Sequence, residues 1–220
     1  MPPFDAVIFD NDGLLLDTEE AWTRAEETLF ARRGRRWTME HKRDLLGSAG
    51  SVAEAKLERM LELPGAGAAL LRELNELVME EVLQGVAPRP GAVELVGKLE
   101  QAGVPLGLAS NSLRPFVLRV LIGAGLTGDA SPFEVVVTAS DVEHPKPAPD
   151  LYLAAAAALG AEPGRCAALE DSPPGAASAL AAGLFVVGVP YFPDGELPAG
   201  VHLRAASLAD PAVHAALGVS

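Results

Sequence analysis

The sequence predicts a doubly wound α/β protein, a parallel sheet covered by helices, with a helical insert placed directly after the first strand. Three observations carry that prediction. Five strand-length runs are apolar at nearly every position, as strands buried on both faces are. Helix-periodic stretches lie between the later runs, in the alternation that builds a parallel sheet. Residues 18–85 contain no strand-like run, only successive amphipathic patterns.

The elements follow in order. AVIFD (6–10) is the first strand, and VPLGLAS (104–110), EVVVTAS (134–140), CAALED (166–171) and LFVVGV (184–189) are the others. In the insert, Trp22, Ala25, Leu29 and Phe30 share a helical face, as do Ala53, Leu57, Met60 and Leu61. Leu70, Leu74, Leu77, Val78 and Val82 form a third such face. Pro88-Arg89-Pro90-Gly91 makes a stiff re-entry into the core. Beyond it Ala92, Leu95, Val96, Leu99 and Ala102 keep helical spacing, with Gly103 as a stop. Leu151 to Leu159 reads as a helix ending at Gly160. The organisation expected is therefore a core from residues 1–17 and 86–220 and an inserted helical unit over 18–85, with a cleft where the first strand ends.

Composition excludes several classes of function. With 220 residues and roughly 150 per domain, the chain supports one large domain or one domain with an insert. Its 49% hydrophobic and 21% charged residues suit a folded, soluble chain rather than a disordered one. The single cysteine, Cys166, leaves no internal disulfide and no cysteine-based zinc site, and it reads as a core residue. A formal charge of −13 opposes binding to nucleic acid or to an anionic membrane. The N-terminus lacks a basic region, and Asp5 and Asp10 break its apolar stretch, so no secretory signal is read there. The uncharged run from Ser172 to Pro193 is broken by four prolines and three glycines, so it is not a membrane span. A cytoplasmic protein is expected, and a monomer is compatible with the sequence.

Parallel α/β sheets bind ligands at the carboxyl ends of their strands. At those ends stand Asp10-Asn11-Asp12-Gly13, then Ser110-Asn111, then Asp141 leading to His144-Pro145-Lys146-Pro147, then Glu170-Asp171-Ser172. Two carboxylates about 4 Å apart repel by roughly 4 kcal/mol at an effective dielectric near 20. Several at one edge call for protonation or a cation. Oxygen-only ligands select a hard ion, and Mg²⁺ is the usual one where phosphate shares its coordination sphere. A carboxylate nucleophile, a metal, a lysine and an acid are the parts phosphoryl transfer needs.

FDNDGLLLDTE (9–19), LASNS (108–112), HPKPAPDLYL (144–153) and ALEDSPPGAASALAAG (168–183) resemble, in order and spacing, the four motifs of the haloacid dehalogenase superfamily. The likeness spans the core, and the insert matches the helical cap of the phosphoglucomutase-like phosphatase branch. It implies a Rossmann-like core and an aspartyl-phosphate mechanism. Asp10 would then be the nucleophile, and Asp12 the acid that protonates the leaving group and afterwards activates water. Ser110 and Asn111 would bind phosphoryl oxygens, with the Asn11 backbone reaching the phosphate. Lys146 would pair with nucleophile and phosphate. Asp10, the Asp12 carbonyl, Asp171 and Glu170 would surround Mg²⁺. Asn11 departs from the pattern, which is usually apolar between the two aspartates.

The resemblance implies a Mg²⁺-dependent phosphatase acting on a small soluble phosphomonoester, and EEAWTRAEE (19–27) looks like the sugar-phosphate phosphatases of the branch. The alternative is a β-phosphoglucomutase-like isomerase. Against it, Trp22 stands where the mutases carry a histidine, and Gly47-Ser48-Ala49-Gly50 lacks their arginine. Dehalogenases lack the second aspartate. A phosphoaspartate receiver or a silent phosphate-binding protein is the non-enzyme alternative. Of the remaining residues, His144 reads as structural or solvent-facing, and Trp22 as cap core rather than a substrate platform. The basic stretch Arg32 to Arg43 reads as a solvated cap tip far from the cleft.

Overall fold

The computed structural model describes residues 3–126 and 131–219; residues 1–2, 127–130 and 220, all within the expected core, lie outside the described residues. Six parallel strands form one sheet in the order β3-β2-β1-β4-β5-β6. They are β1 (Ala6–Phe9), β2 (Leu106–Ser110), β3 (Val135–Thr138), β4 (Cys166–Glu170), β5 (Phe185–Gly188) and β6 (Leu203–Arg204). The strand order reverses at β1, which lies between β2 and β4. Register aligns the strand ends: Phe9 pairs with Leu108 and with Leu169, and Ser110 with Thr138. Residues just past those positions therefore emerge side by side.

Side chains alternate between the two faces, and each face has its own apolar cluster. Ala6, Ile8, Ala168 and Val186 pack with Leu151, Tyr152 and Ala155 of α7 (Asp150–Ala158) and Ala176 and Ala179 of α8 (Pro173–Ala181). Val7, Phe9, Leu106, Leu108 and Leu169 pack on the other side. Their partners there include Leu95 and Leu99 of α5 (Ala92–Gln101), Phe116 and Val117 of α6 (Arg114–Gly123) and Val213 of α9 (Pro211–Ala216).

Four α-helices occupy the inserted stretch: α1 (Glu19–Ala31), α2 (Met39–Leu45), α3 (Gly50–Leu61) and α4 (Gly67–Glu81). α4 packs against both α1 and α3, and Leu29, Phe30, Leu57, Leu70 and Leu74 are buried among them. The two connections to the sheet pair with each other. Asp17 N–H donates to the Ala87 carbonyl at 2.8 Å, and Arg89 N–H donates to Leu15 at 2.9 Å.

The structure differs from expectation in one helix of this stretch. The basic run 32–43 is not wholly a solvated tip, because α2 begins within it. Thr38 caps α2 reciprocally: its hydroxyl accepts from His41 N–H, and its own N–H donates to His41 Nδ1. That cap turns Lys42 inward, where it is 2% exposed. Arg32 and Arg33 do stay at the tip, bonded to Glu73, and Arg35 pairs with Glu62.

Candidate active site

Asp10 follows β1 directly and is buried. Lys146, which follows β3 by eight residues, reaches back under it. Its ammonium donates to Asp10 Oδ1 at 2.5 Å, to Glu170 Oε1 at 2.7 Å and to the Ala109 carbonyl at 2.8 Å. Tyr152 of α7 adds a hydroxyl at 2.7 Å on the same Glu170 oxygen. The second Glu170 oxygen accepts from the Asp171 and Ser172 amides and the Ser172 hydroxyl. Ser172 in turn caps α8 through Gly175 N–H. Glu170 is thus buried with both oxygens taken by donors, as a buried polar group requires.

Asp171 is not saturated. Its Oδ2 is buried and has no hydrogen-bond partner. Asp10, Glu170 and Asp171 each bring one oxygen within 4.8 Å of the others. Burial drives the Asp10 carboxyl well above its ordinary range. Lys146 opposes that rise, and Glu170 and Asp12 add to it. Burial, then Asp10, Glu170 and Glu19, push Asp171 up as well. An orphaned buried carboxylate oxygen beside two more carboxylates fits a hard divalent cation, which would complete its coordination and remove the repulsion. Lys146 stays charged despite burial, because Asp10 and Glu170 hold its pKa above the usual lysine value.

Asp12 stands at the cleft on the other side of the turn. Thr18 Oγ1 donates to its Oδ1 at 2.8 Å and Asn11 Nδ2 at 3.2 Å, while Ser110 and Ser112 hydroxyls donate to Oδ2 at 3.0 and 2.8 Å. Four donors hold the carboxylate in place. The turn between the aspartates and Thr18 needs Gly13, which has φ +78° and where a Cβ would overlap Asp171 Oδ2.

Two side chains at the strand ends have protein partners of their own. The Ser110 hydroxyl donates to Asp12 and accepts from Ser112 N–H, so it orients the acid. The Asn111 amide donates to the Gly47 and Lys146 carbonyls, and its oxygen accepts from Lys146 N–H at 2.8 Å. Asn111 therefore fastens the lysine loop to the loop between α2 and α3. The side chain of Asn11 bonds Asp12 and leaves its Oδ1 buried without a partner.

A cavity of about 380 Å³ opens between these strand ends and the inserted helices. Asp10, Asp12, Lys146 and Asp171 form its floor, and Trp22, Glu26, Lys42 and Asn75 belong to its opposite wall. Lys42, expected far from the cleft, lines it. Its ammonium lies 2.5 Å from Glu19 and 3.5 Å from Glu26, and Trp37 Nε1 donates to Glu26 at 3.0 Å. Burial raises Glu26 to about 7, with Lys42 opposing and Glu19 reinforcing. Arg43, next to Lys42 in the chain, reaches out of the insert, bonding both oxygens of Asp194 and lying 4.2 Å over the Phe192 ring.

Trp22 is half-buried and spans the boundary, its ring 5.5 Å from Phe116 of α6. His144 is exposed and Cys166 is buried, as expected. Thr18, Ser112, Tyr152 and Lys42 were not singled out from sequence. The first three stand inside or beside the motif segments, which was a usable signal. For Lys42 there was none.

The comparisons with known proteins agree with this geometry. Residues 4–183 match the family of haloacid dehalogenase-like hydrolases. The protein CbbY of Rhodobacter capsulatus is 36% identical over 193 residues, covering 84% of this chain and 85% of that one. Hexitol phosphatase A of Escherichia coli is 33% identical over 184 residues, covering 83% and 81%. The crystal structure of CbbY from Rhodobacter sphaeroides in complex with xylulose-(1,5)-bisphosphate superposes with a TM-score of 0.81 at 30% identity, covering 94% and 96%. With strand order, strand-end acids and buried lysine all in place, the chain belongs to the haloacid dehalogenase-like hydrolases and to the phosphatases among them.

Proposed function

We propose that the protein hydrolyses a small phosphorylated sugar or polyol with Mg²⁺, through an aspartyl-phosphate on Asp10. The observation that carries the reading is the pairing of Asp10 with a buried lysine on one side and an orphaned Asp171 oxygen on the other. Asp10 and Asp171, with the Asp12 carbonyl, are the candidate ligands, and Glu170, its oxygens already taken by donors, adds its charge from behind them. The cation would supply charge neutralisation for the transferring phosphoryl group.

An oxygen of Asp10 attacks phosphorus, the bond to the leaving oxygen breaks, and protonated Asp12 gives that oxygen its proton. Asp12 is then a carboxylate able to take a proton from water, whose oxygen attacks the same phosphorus and breaks its bond to Asp10. Lys146 holds positive charge beside the nucleophile throughout, and the Ser110, Ser112 and Thr18 hydroxyls keep Asp12 oriented. Residues 18–85 act as a cap whose wall of the cavity excludes water and meets the leaving group. Hexitol phosphatase A supports a polyol or sugar phosphate as the substrate class, and the CbbY complex, whose ligand is a bisphosphate, supports a phosphorylated sugar more broadly. A metabolite-sized substrate suits a cytoplasmic enzyme.

Phosphate release from p-nitrophenyl phosphate, with Mg²⁺ and with excess EDTA, tests this reading. Activity is expected only with the metal. Asp10→Asn is expected to end turnover with the melting temperature preserved, because the amide fills the same volume without a nucleophilic charge. Turnover above a few per cent of wild type in a folded Asp10→Asn protein overturns the assignment.

A further inference from the structure

The cavity is charged at both ends, and the two ends differ in how that charge is balanced. Among the described residues lining it, the cations are Lys42 and Lys146. Lys146 belongs to the reacting phosphoryl group and bonds Asp10 and Glu170. Lys42 stands on the far wall, is 2% exposed and bridges Glu19 and Glu26. With both glutamates ionised the far wall carries −1; with Glu26 protonated it carries zero. Neither state leaves a free positive charge for a second phosphate. Leu45, Leu71, Leu74 and the Asn75 amide also line the cavity.

An ammonium has three donors and the glutamates occupy two directions. A hydroxyl group both accepts from an ammonium and donates to a carboxylate, so adjacent hydroxyls match this Lys–Glu pair. A dianionic phosphate meets two carboxylates instead. We propose that Lys42, locked by Glu19 and Glu26, is the specificity-determining residue of the cleft. It selects a monophosphate with a neutral, hydroxyl-bearing leaving group over the corresponding bisphosphate. The inference rests on the phosphatase reading above and narrows its substrate class.

The test compares kcat/KM on paired substrates: fructose 6-phosphate with fructose 1,6-bisphosphate, ribulose 5-phosphate with ribulose 1,5-bisphosphate, and a hexitol 6-phosphate. p-Nitrophenyl phosphate serves as the leaving group without hydroxyls. The wild-type enzyme is expected to favour its best monophosphate over the bisphosphate by about tenfold or more. Lys42→Met, similar in length and uncharged, is expected to lower the ratio of that kcat/KM to the p-nitrophenyl phosphate value by about tenfold, chiefly through KM. Glu26→Gln keeps an acceptor for Trp37 while removing one negative charge, and is expected to shrink the discrimination against bisphosphate by about threefold or more.

Equal or faster turnover of the bisphosphate by the wild type overturns the inference. So does a Lys42→Met protein that loses both substrates by one factor, since that is a structural effect. Should Lys42→Met fail to fold, Glu26→Gln decides alone, and an unchanged discrimination overturns the inference. A wild type that cleaves p-nitrophenyl phosphate but none of the monophosphates overturns this inference only. One that cleaves nothing overturns the phosphatase reading itself.

Discussion

Glu26 is a carboxylate in a place that resists its charge. Its ordinary pKa of 4.5 rises to about 7, with burial the largest cause and Lys42 only partly compensating. Between those values the folded chain holds a proton that the unfolded chain has released, so stability falls as pH rises from about 4.5 to about 7 and then levels off. At 1.36 kcal/mol per unit, the full effect is about 3 kcal/mol. Glu26→Gln is therefore expected to flatten this slope and to be at least as stable as wild type at pH 8. Urea unfolding at pH 5, 6, 7 and 8 measures it, and a slope identical in both proteins contradicts the assignment. Asp171 presents the same tension with a different relief. Its orphaned oxygen gains a partner when a cation binds, so Mg²⁺ is expected to raise the melting temperature. Saturation at 100 times Kd corresponds to about 2.7 kcal/mol. Asp171→Asn is expected to abolish that rise, and an unaltered thermal shift sinks its role as a ligand.

At the scale of elements, the strands were the legible part. Burial on both faces leaves continuous apolar runs, and all five runs marked in the sequence became β1 to β5. The misses have physical causes. β6 has two residues and α9 six, too short for any period to register. α6 is apolar without a clean stripe, because Leu118 and Ile122 face solvent while Val117 and Leu121 are buried. The acids were legible because they follow strands. Lys42 was not, because its partners lie on α1 and only the capped turn into α2 brings them together. The junction of β4 and α8 makes the tightest demand. A Cβ on Gly175 would overlap the Glu170 carboxylate, whose two oxygens are fixed by Lys146, Tyr152 and Ser172. Gly175→Ala is expected to cost about 1–3 kcal/mol through overpacking and to weaken the Mg²⁺ shift as well. Full stability together with full metal response shows that Glu170 tolerates displacement.

At the scale of the whole molecule, the proposed mechanism has the inserted helices held against the sheet while substrate is bound and released afterwards. Lys42 and Arg43 are successive residues on α2 with opposite destinations, one in the cavity and one on the core loop after β5. Arg43 grips both Asp194 oxygens at 2.9 and 3.1 Å and covers Phe192, so the segment that lines the cavity through Lys42 is also tied to the core. The pair is exposed, Arg43 at 44% and Asp194 at 71% of the side chain, and such a pair contributes about 1 kcal/mol or less. That is small against global stability. It is not small against an equilibrium between closed and open arrangements, where apparent affinity scales with the fraction competent to bind. Asp194→Ala is therefore expected to leave the melting temperature nearly unchanged and to raise KM by about twofold to fivefold. Added salt, which screens exposed pairs, is expected to raise the wild-type KM towards the variant's while affecting the variant less. Steady-state kinetics across a salt series decides the matter: KM values that coincide at low salt, or that climb in parallel, show that Arg43 and Asp194 do not govern closure.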